Sequence, residues 1–568
     1  VLCRGIAALM LAPAVQLLAQ GRPSGPCRGQ RIDSIHVVAE APSVSGLRRV
    51  PVIGNIVRET HVITRPDVVK RYLLFRVGDR CTRLLWAESE RILRAQPFLA
   101  DADIVAIPNN RGGVTIEVTT IDEASVILGG SVSNAAPAVR GVKVGSSNLA
   151  GLGIATSFAW GHHPALADRV EFRFTDYQFA GRPYVLGVVS LRDALGWEQD
   201  GELSLPFRTD VQRFAWQGRL GERRNHALFV ERDSGRVALA FAREYGELGA
   251  IGRLGPPGRL TLYGFALTHE RTWPDTTAKR LNDEGLFGDT AAALAGRFVE
   301  TRATRANVLL GVRGIRFVRA RSLDALRGSQ DVPIGLQFGT LVGRAIGGRS
   351  ETSDDVFIAS DLYAGFGTPR FVYRFQAQAE GRRSFTTSEW DGLVGSARLH
   401  GYARVGDRRT QSLSLEWSGT SRVLVPHALS LGLIDGGLRG FADSRVVGGR
   451  RAVARLAEQV YLGAPFSFGD FGFAVFSDAG KIWRGDVPYG VETPVRATAG
   501  LSLLLAVPMR STRMWRLDFA APIQREPGMS AWDLRLSYSD RTSFFWKEPL
   551  DVSSARARAV PASTYNWP

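Results

Sequence analysis

The feature that most constrains this chain is an alternation of apolar and polar residues that recurs from Ala124 to Trp546. In "RVEFRFTD", Val170, Phe172 and Phe174 alternate with Arg169, Glu171 and Arg173. "QSLSLEWSG" sets Leu413, Leu415 and Trp417 apart in the same way, and "WDLRLSYSD" does so with Leu534, Leu536 and Tyr538. Period-two patterning puts the two sets on opposite faces of β-strands. Clusters of Gly, Pro, Asp, Asn and Ser separate the segments, as turns require. A soluble sandwich alternates too, so two further features decide. The polar face is charged on strand after strand, which suits a water-filled lumen. Aromatic residues collect near expected strand ends, at Trp160, Tyr184, Trp273, Trp390, Trp483 and Trp546, as interfacial girdles do. Strands in a bilayer must close on themselves, because no water is there to satisfy a free edge. Allowing roughly 26 residues per strand and connection predicts about 16 antiparallel strands, an even number as bacterial barrels have.

No run of about 20 apolar residues occurs within the chain, so a helical membrane span is not expected. The mean hydropathy of −0.05 is what alternating strands average to. The start, "VLCRGIAALMLAPAVQLLAQG", has Arg4, an apolar run from Ile6 to Leu18 and a small residue at Ala19. This is the pattern of a secretory signal over 1–19, followed by a linker over 20–30. Export would bring the chain into an oxidising compartment, where Cys27 and Cys81 are expected either to bridge or to remain two free thiols once Cys3 has left with the signal.

Residues 31–122 read as a small α+β domain. "RIDSIHVVAE" alternates like a strand. "TRPDVVKRYLLF" opens a helix with Thr64 as the expected cap, and "TRLLWAESERILRAQPFL" is a second amphipathic helix with Glu88, Glu90 and Arg91 expected in solvent. "ADIVAI" and "GVTIEVTTI" follow as strands joined by "PNNRGG", a hairpin-turn composition. The stretch from Ala41 to His61 reads as an extended or partly helical insertion.

The β-α-α-β-β order resembles a POTRA (polypeptide-transport-associated) domain. With the barrel behind it, the chain resembles the BamA/TamA superfamily of outer-membrane assembly and translocation barrels, as a member with a single POTRA domain. Three stretches carry the resemblance. "GVKVGSSNLAGLGIATSF", Gly141 to Phe158, resembles the family's early-barrel pattern of a glycine-rich strand, an Asn-Leu pair and then Gly-x-Gly. "GLRGF", with Leu438, Arg439, Gly440 and Phe441, resembles its loop motif. "AVFSDAGKIW" resembles its later strand motif, carried by Phe476, Asp478, Gly480 and Trp483, and Glu458 holds the family's acidic position between the two. The resemblance implies that a long extracellular loop re-enters the lumen and that Arg439 meets Asp478. The residues suit that contact, since a guanidinium offers a rigid fork of donors to a carboxylate and Gly440 lets the backbone come close. Phe545 and Trp546 stand where the family's terminal aromatic would, except that a tail over 547–568 follows.

The resulting expectation is a mostly β protein: a transmembrane barrel over 123–546 in the bacterial outer membrane, with a POTRA-like domain over 31–122 in the periplasm. Its implied work is assembly or translocation of unfolded outer-membrane or secreted client proteins, alongside the lipid bilayer, lipopolysaccharide and accessory periplasmic or lipoprotein subunits. A secretion pore dedicated to one exported partner and a passive channel or structural barrel are the alternatives. No enzyme is expected, because no Gly-x-Ser-x-Gly elbow occurs. Neither a cofactor nor a metal is expected; His162 and His163 in "GHHP" read as loop residues, and neighbours in a strand point apart. The net charge of +16 is spread over alternate strand positions without a nucleic-acid motif, so nucleic acid is not an expected partner.

Overall fold

The computed structural model describes residues 27–41, 62–132, 139–163, 166–193, 196–231, 235–282, 285–290, 294, 296–346, 354–432, 436–442, 444–465, 468–540 and 545–557. The expected signal, most of the linker and nearly all of the Ala41–His61 insertion lie outside them.

Four strands make the N-terminal sheet: β1 (Arg28–Glu40), β2 (Arg80–Thr82), β3 (Leu99–Pro108) and β4 (Val114–Asp122). Their order is β2-β1-β4-β3, with β1 parallel to β4 and the other neighbours antiparallel. Two helices, α1 (Pro66–Lys70) and α2 (Arg83–Arg94), lie between β1 and β3. Ile32, Val68, Val69, Leu93, Ile104, Ile116 and Val118 form one buried core. Cys27 and Cys81 are joined by a disulfide that ties the start of β1 to β2. Thr82 caps α2 through its side chain, which accepts from the Leu85 amide. Thr64 does not cap α1. Arg65 is the capping residue, and Thr64 is buried where the sheet meets the barrel.

The rest of the chain is a large, nearly closed antiparallel barrel. Its wall has 20 strands rather than about 16. The expected spacing was too generous for the first part of the wall. Between Ile154 and Leu205 four strands of 10 to 14 residues follow one another through tight connections. A hairpin strand, Gly285–Thr290, extends one loop and, among the described residues, pairs with Leu260–Asn282. His162 and His163, expected in a loop, close the strand Ile154–His163.

The alternation does set inside against outside. In the strand Arg409–Ser421, Leu413, Leu415 and Trp417 are 45%, 42% and 45% exposed, whereas Ser414, Glu416 and Ser418 are 4%, 8% and 3% exposed. The same outward apolar belt runs through Leu220, Leu248, Phe265, Leu310, Phe338, Leu456, Leu501 and Leu503. An apolar outer face over a polar, crowded interior is the solvent pattern of a membrane barrel and the inverse of a soluble one.

The N-terminal domain sits on one mouth of the barrel. The Arg65 amide donates to the Gly151 carbonyl at 3.0 Å, and Asn148 donates to the Thr64 hydroxyl at 2.7 Å. Arg94 forks onto Asp331 at 2.9 Å through both nitrogens, and Arg319 reaches Glu90 at 3.0 Å. Arg91 donates to the Arg208 carbonyl and lies 4.2 Å over the Phe317 ring. Glu90 and Arg91 are therefore buried, not solvated as a free amphipathic helix would leave them. The polar face of α2 is the docking face.

Candidate functional site

The site lies in the loop spanning 422–449, between the wall strands Arg409–Ser421 and Arg450–Gly463, at the end of the barrel away from the N-terminal domain. The loop turns inward. Arg439 donates through Nε to Asp478 Oδ2 at 2.7 Å and through Nη2 to Oδ1 at 2.5 Å, while its backbone amide reaches Oδ2 at 3.3 Å. Asp478 is fully buried on the strand Asp470–Trp483. The guanidinium also stacks 3.5 Å over the Phe476 ring, two residues along the same face of that strand. A forked charge-assisted pair over an aromatic face is a directional contact that a lysine would not reproduce.

The flanking residues explain why the motif is small where it is small. A Cβ on Gly480 would meet Leu438 Cδ2 at 3.0 Å, so the missing side chain is the seat for Leu438. Gly440 has φ +80°, and a Cβ there would press on Ala520 and Pro522 at 3.2–3.3 Å. A Cβ on Gly500 would strike Phe476 Cζ at 2.3 Å, so that glycine makes room for the ring beneath Arg439. Phe441 is fully buried with Leu431, Leu438, Val453, Ile482 and Met529. Trp483 contributes through its backbone, where its carbonyl accepts from the Gly449 amide at 3.1 Å and pins the end of the loop.

The structure thus brings Leu438, Arg439, Gly440 and Phe441 together with Phe476, Asp478 and Gly480. It does not bring Glu458 to them. Glu458 pairs with Arg409 at 2.5 Å, nearer the opposite mouth. The acid that serves the loop is Glu416, which holds Arg455 at 2.7 Å and Arg398 at 3.1 Å, while Arg455 donates to the Gly437 carbonyl at 2.8 Å. Glu526 on another loop accepts from the Ser444 hydroxyl at 2.8 Å and the Arg445 amide at 3.1 Å. Sequence reasoning missed Glu416 and Arg455, although both stand on the polar alternates of their strands. Only the strand register, which sets Leu415 opposite Ala454 and Arg455 opposite Asp478, joins them to the lock.

The early-barrel stretch has a structural use of its own. Asn148 Oδ1 accepts from the Gly153 amide at 2.8 Å and shapes the turn on which the N-terminal domain rests. Gly151, at φ +71°, passes so close to Ile63 that a Cβ would lie 2.3 Å from its carbonyl oxygen. Trp546, expected in a girdle, lies inside the lumen, where its amide donates to Gln376 at 2.7 Å. The last wall strand, Asp533–Asp540, ends before it.

A second feature concerns closure of the wall. The first strand, Val126–Val132, and the last, Asp533–Asp540, meet through three residue pairs: Leu534 with Val132, Arg535 with Ser131 and Leu536 with Gly130. Among the described residues the registered pairs end there, so the described seam is joined toward the loop end and stops short of the N-terminal domain.

No protein-family model and no curated protein matches the sequence. Among solved structures, the chain is similar to BamA from Haemophilus ducreyi lacking POTRA domains 1–3, at 13% identity and a TM-score of 0.37, over 90% of this chain and 84% of that one. It is similar to CdiB from Escherichia coli at 13% identity and a TM-score of 0.42, over 93% and 92% of the two chains. It is also similar to the FrpB iron transporter from Neisseria meningitidis at 10% identity and a TM-score of 0.36, over 78% and 87%. Scores this low carry no functional inference; what the protein does must be read from its own lock, seam and docked domain.

Proposed function

We propose that this protein is an outer-membrane barrel that assembles or translocates polypeptide clients. The observation that carries the reading is the seam of three pairs between first and last strands, which stops short of the docked N-terminal domain. A client strand arriving from that domain would meet unfilled ladder positions at the seam. Backbone hydrogen bonding at such an edge gives affinity with little demand on sequence.

The N-terminal domain, which we read as POTRA-like, supplies one open edge. Beyond Arg31, β1 pairs only with β4 among the described residues, leaving Ser34–Glu40 as the receiving edge. The β3 edge is partly occupied already, since Trp86 donates to the Ile104 carbonyl at 2.7 Å and Arg94 to the Ala102 carbonyl at 3.4 Å. The loop lock then has a mechanical role. With so weak a closure, the wall next to the seam needs an internal brace, and Arg439–Asp478 fixes the loop to a strand three places from the seam.

Depletion of the protein followed by a quantitative inventory of the outer membrane tests this reading. Loss of several other barrels is the expected result, and an unchanged outer membrane would contradict it. Loss of a single exported protein would instead support a dedicated secretion pore.

A further inference from the structure

Beyond the last wall strand the chain returns into the barrel, and residues 545–557 cross the lumen. The Phe545 ring packs on Tyr363 with centroids 4.9 Å apart. Glu548 accepts from Ser396 and, at 2.6 Å through each oxygen, from Arg556. A short helix, α3 (Leu550–Ala555), follows and buries Val552 and Ala555 against Val394, Val423 and Leu429. On the other side, Arg223 and Arg243 both donate to the Ser554 carbonyl at 3.0 Å, and Arg243 also reaches the Arg556 carbonyl at 2.5 Å. Three wall strands separate the strand of Arg243 from that of Tyr363, so the segment bridges a chord of the barrel.

Two details separate this from a tail that merely fills space. First, much of the grip is on main-chain atoms: the Trp546 amide on Gln376, the Ala557 amide on Glu380 at 2.7 Å, and the carbonyls held by Arg223 and Arg243. The wall offers both donors and acceptors to a polypeptide backbone, whose groups must be satisfied once they leave water. Second, one cation serves both the segment and the loop. Arg451 donates to the Ser430 carbonyl at 2.6 Å and forks onto Asp551 at 2.5 and 3.0 Å. Gly436 of the loop lies so near Pro549 that a Cβ on it would stand 2.7 Å from the proline ring.

We propose that residues 545–557 are a resident peptide plug that closes the lumen and, through Arg451, couples that closure to the loop lock. The plug is held by the luminal wall as a peptide ligand is held by its receptor, and its withdrawal opens the pore. This inference goes beyond the assembly reading and is decided by conductance, whatever the protein's clients prove to be.

The test is ionic conductance of the full chain in planar bilayers against a chain ended after Asp540. The truncated barrel, with folding verified by its heat-modifiable gel mobility, is expected to conduct several-fold more. A synthetic peptide of residues 545–557 added to it should restore the low level. A truncated, folded barrel that conducts like the full chain would overturn the proposal, as would a peptide without effect on an opened one. Should the truncated chain fail to fold, the full chain carrying Ser396→Cys and Glu548→Cys decides. Oxidised, it should stay closed when urea raises the conductance of its reduced form. Equal conductance in both forms at every urea concentration would sink the plug.

Discussion

The two sides of this barrel are built differently. On one side the strands Phe214–Glu231, Gly235–Leu254, Leu260–Asn282 and Thr301–Arg321 have 18, 20, 23 and 21 residues and are zipped along nearly their whole length. On the other, the two strands flanking the seam share three pairs among the described residues. The tall side gains a ladder contact with every residue. The seam itself has few pairs, and three strands from it the interior holds Arg439 on Asp478 and glycines that admit Leu438 and Phe476. Where the described ladder is short, contacts inside the lumen supply what pairing does not.

Removing the brace should break the comparison most visibly. Asp478→Ala leaves a largely buried guanidinium without its partner, an expected loss of about 3–5 kcal/mol. Urea unfolding followed by gel mobility should show it, with Arg439→Ala similarly affected and Arg439→Lys intermediate. Wild-type midpoints in all three would mean that the loop does not brace the wall. Gly480→Ala should cost less, about 1–3 kcal/mol, because the added methyl displaces Leu438 without orphaning a charge. If it equals Asp478→Ala, packing rather than the ion pair sets the brace.

The junction between the two parts carries a pH signature. Asp122 ends β4, four residues before the first wall strand, and burial lifts its carboxyl from 3.8 to about 6, against the pull of the Thr64 amide. Below about pH 4 the group is neutral both folded and unfolded. Between about pH 4 and about pH 6 the unfolded chain loses its proton first, so stability falls as pH rises, and the deficit then stays constant. Asp122→Asn should flatten that fall, worth on the order of 3 kcal/mol, in thermal unfolding across the range. An unchanged pH profile would show that Asp122 is ionised in the fold. The smallest effect belongs to Glu458→Gln, within about 1 kcal/mol, because among the described residues Glu458 meets Arg409 and Gln411 on an accessible stretch of wall. A loss as large as that of Asp478→Ala would bring Glu458 back into the lock.

Much of this was legible in the sequence, and for a physical reason. Alternation such as Leu413–Leu415–Trp417 is a local signal, and the barrel is its direct consequence. Arg439 stood out as a planar cation in a glycine-rich turn, and its meeting with Asp478 was what the resemblance of the two motifs implied. The strand number was not legible, because it depends on how tightly each connection turns. Glu416 and Arg455 were hidden for another reason: any polar residue on the inner face looks alike until the register says which ones meet. Helix α2 misled, since its charged face is the same whether it meets water or the Asp331 and Arg319 side chains of a barrel mouth. The plug was hidden most deeply, as nothing local says that a segment past the last strand turns inward.

The seam itself is the most direct test. Leu536 lies opposite Gly130, so Leu536→Cys with Gly130→Cys places two thiols across it. Measured as client assembly into the outer membrane by cells that depend on this protein, the oxidised variant should be inactive and a reductant should restore it. A fully cross-linked seam that still supports normal assembly would contradict the account.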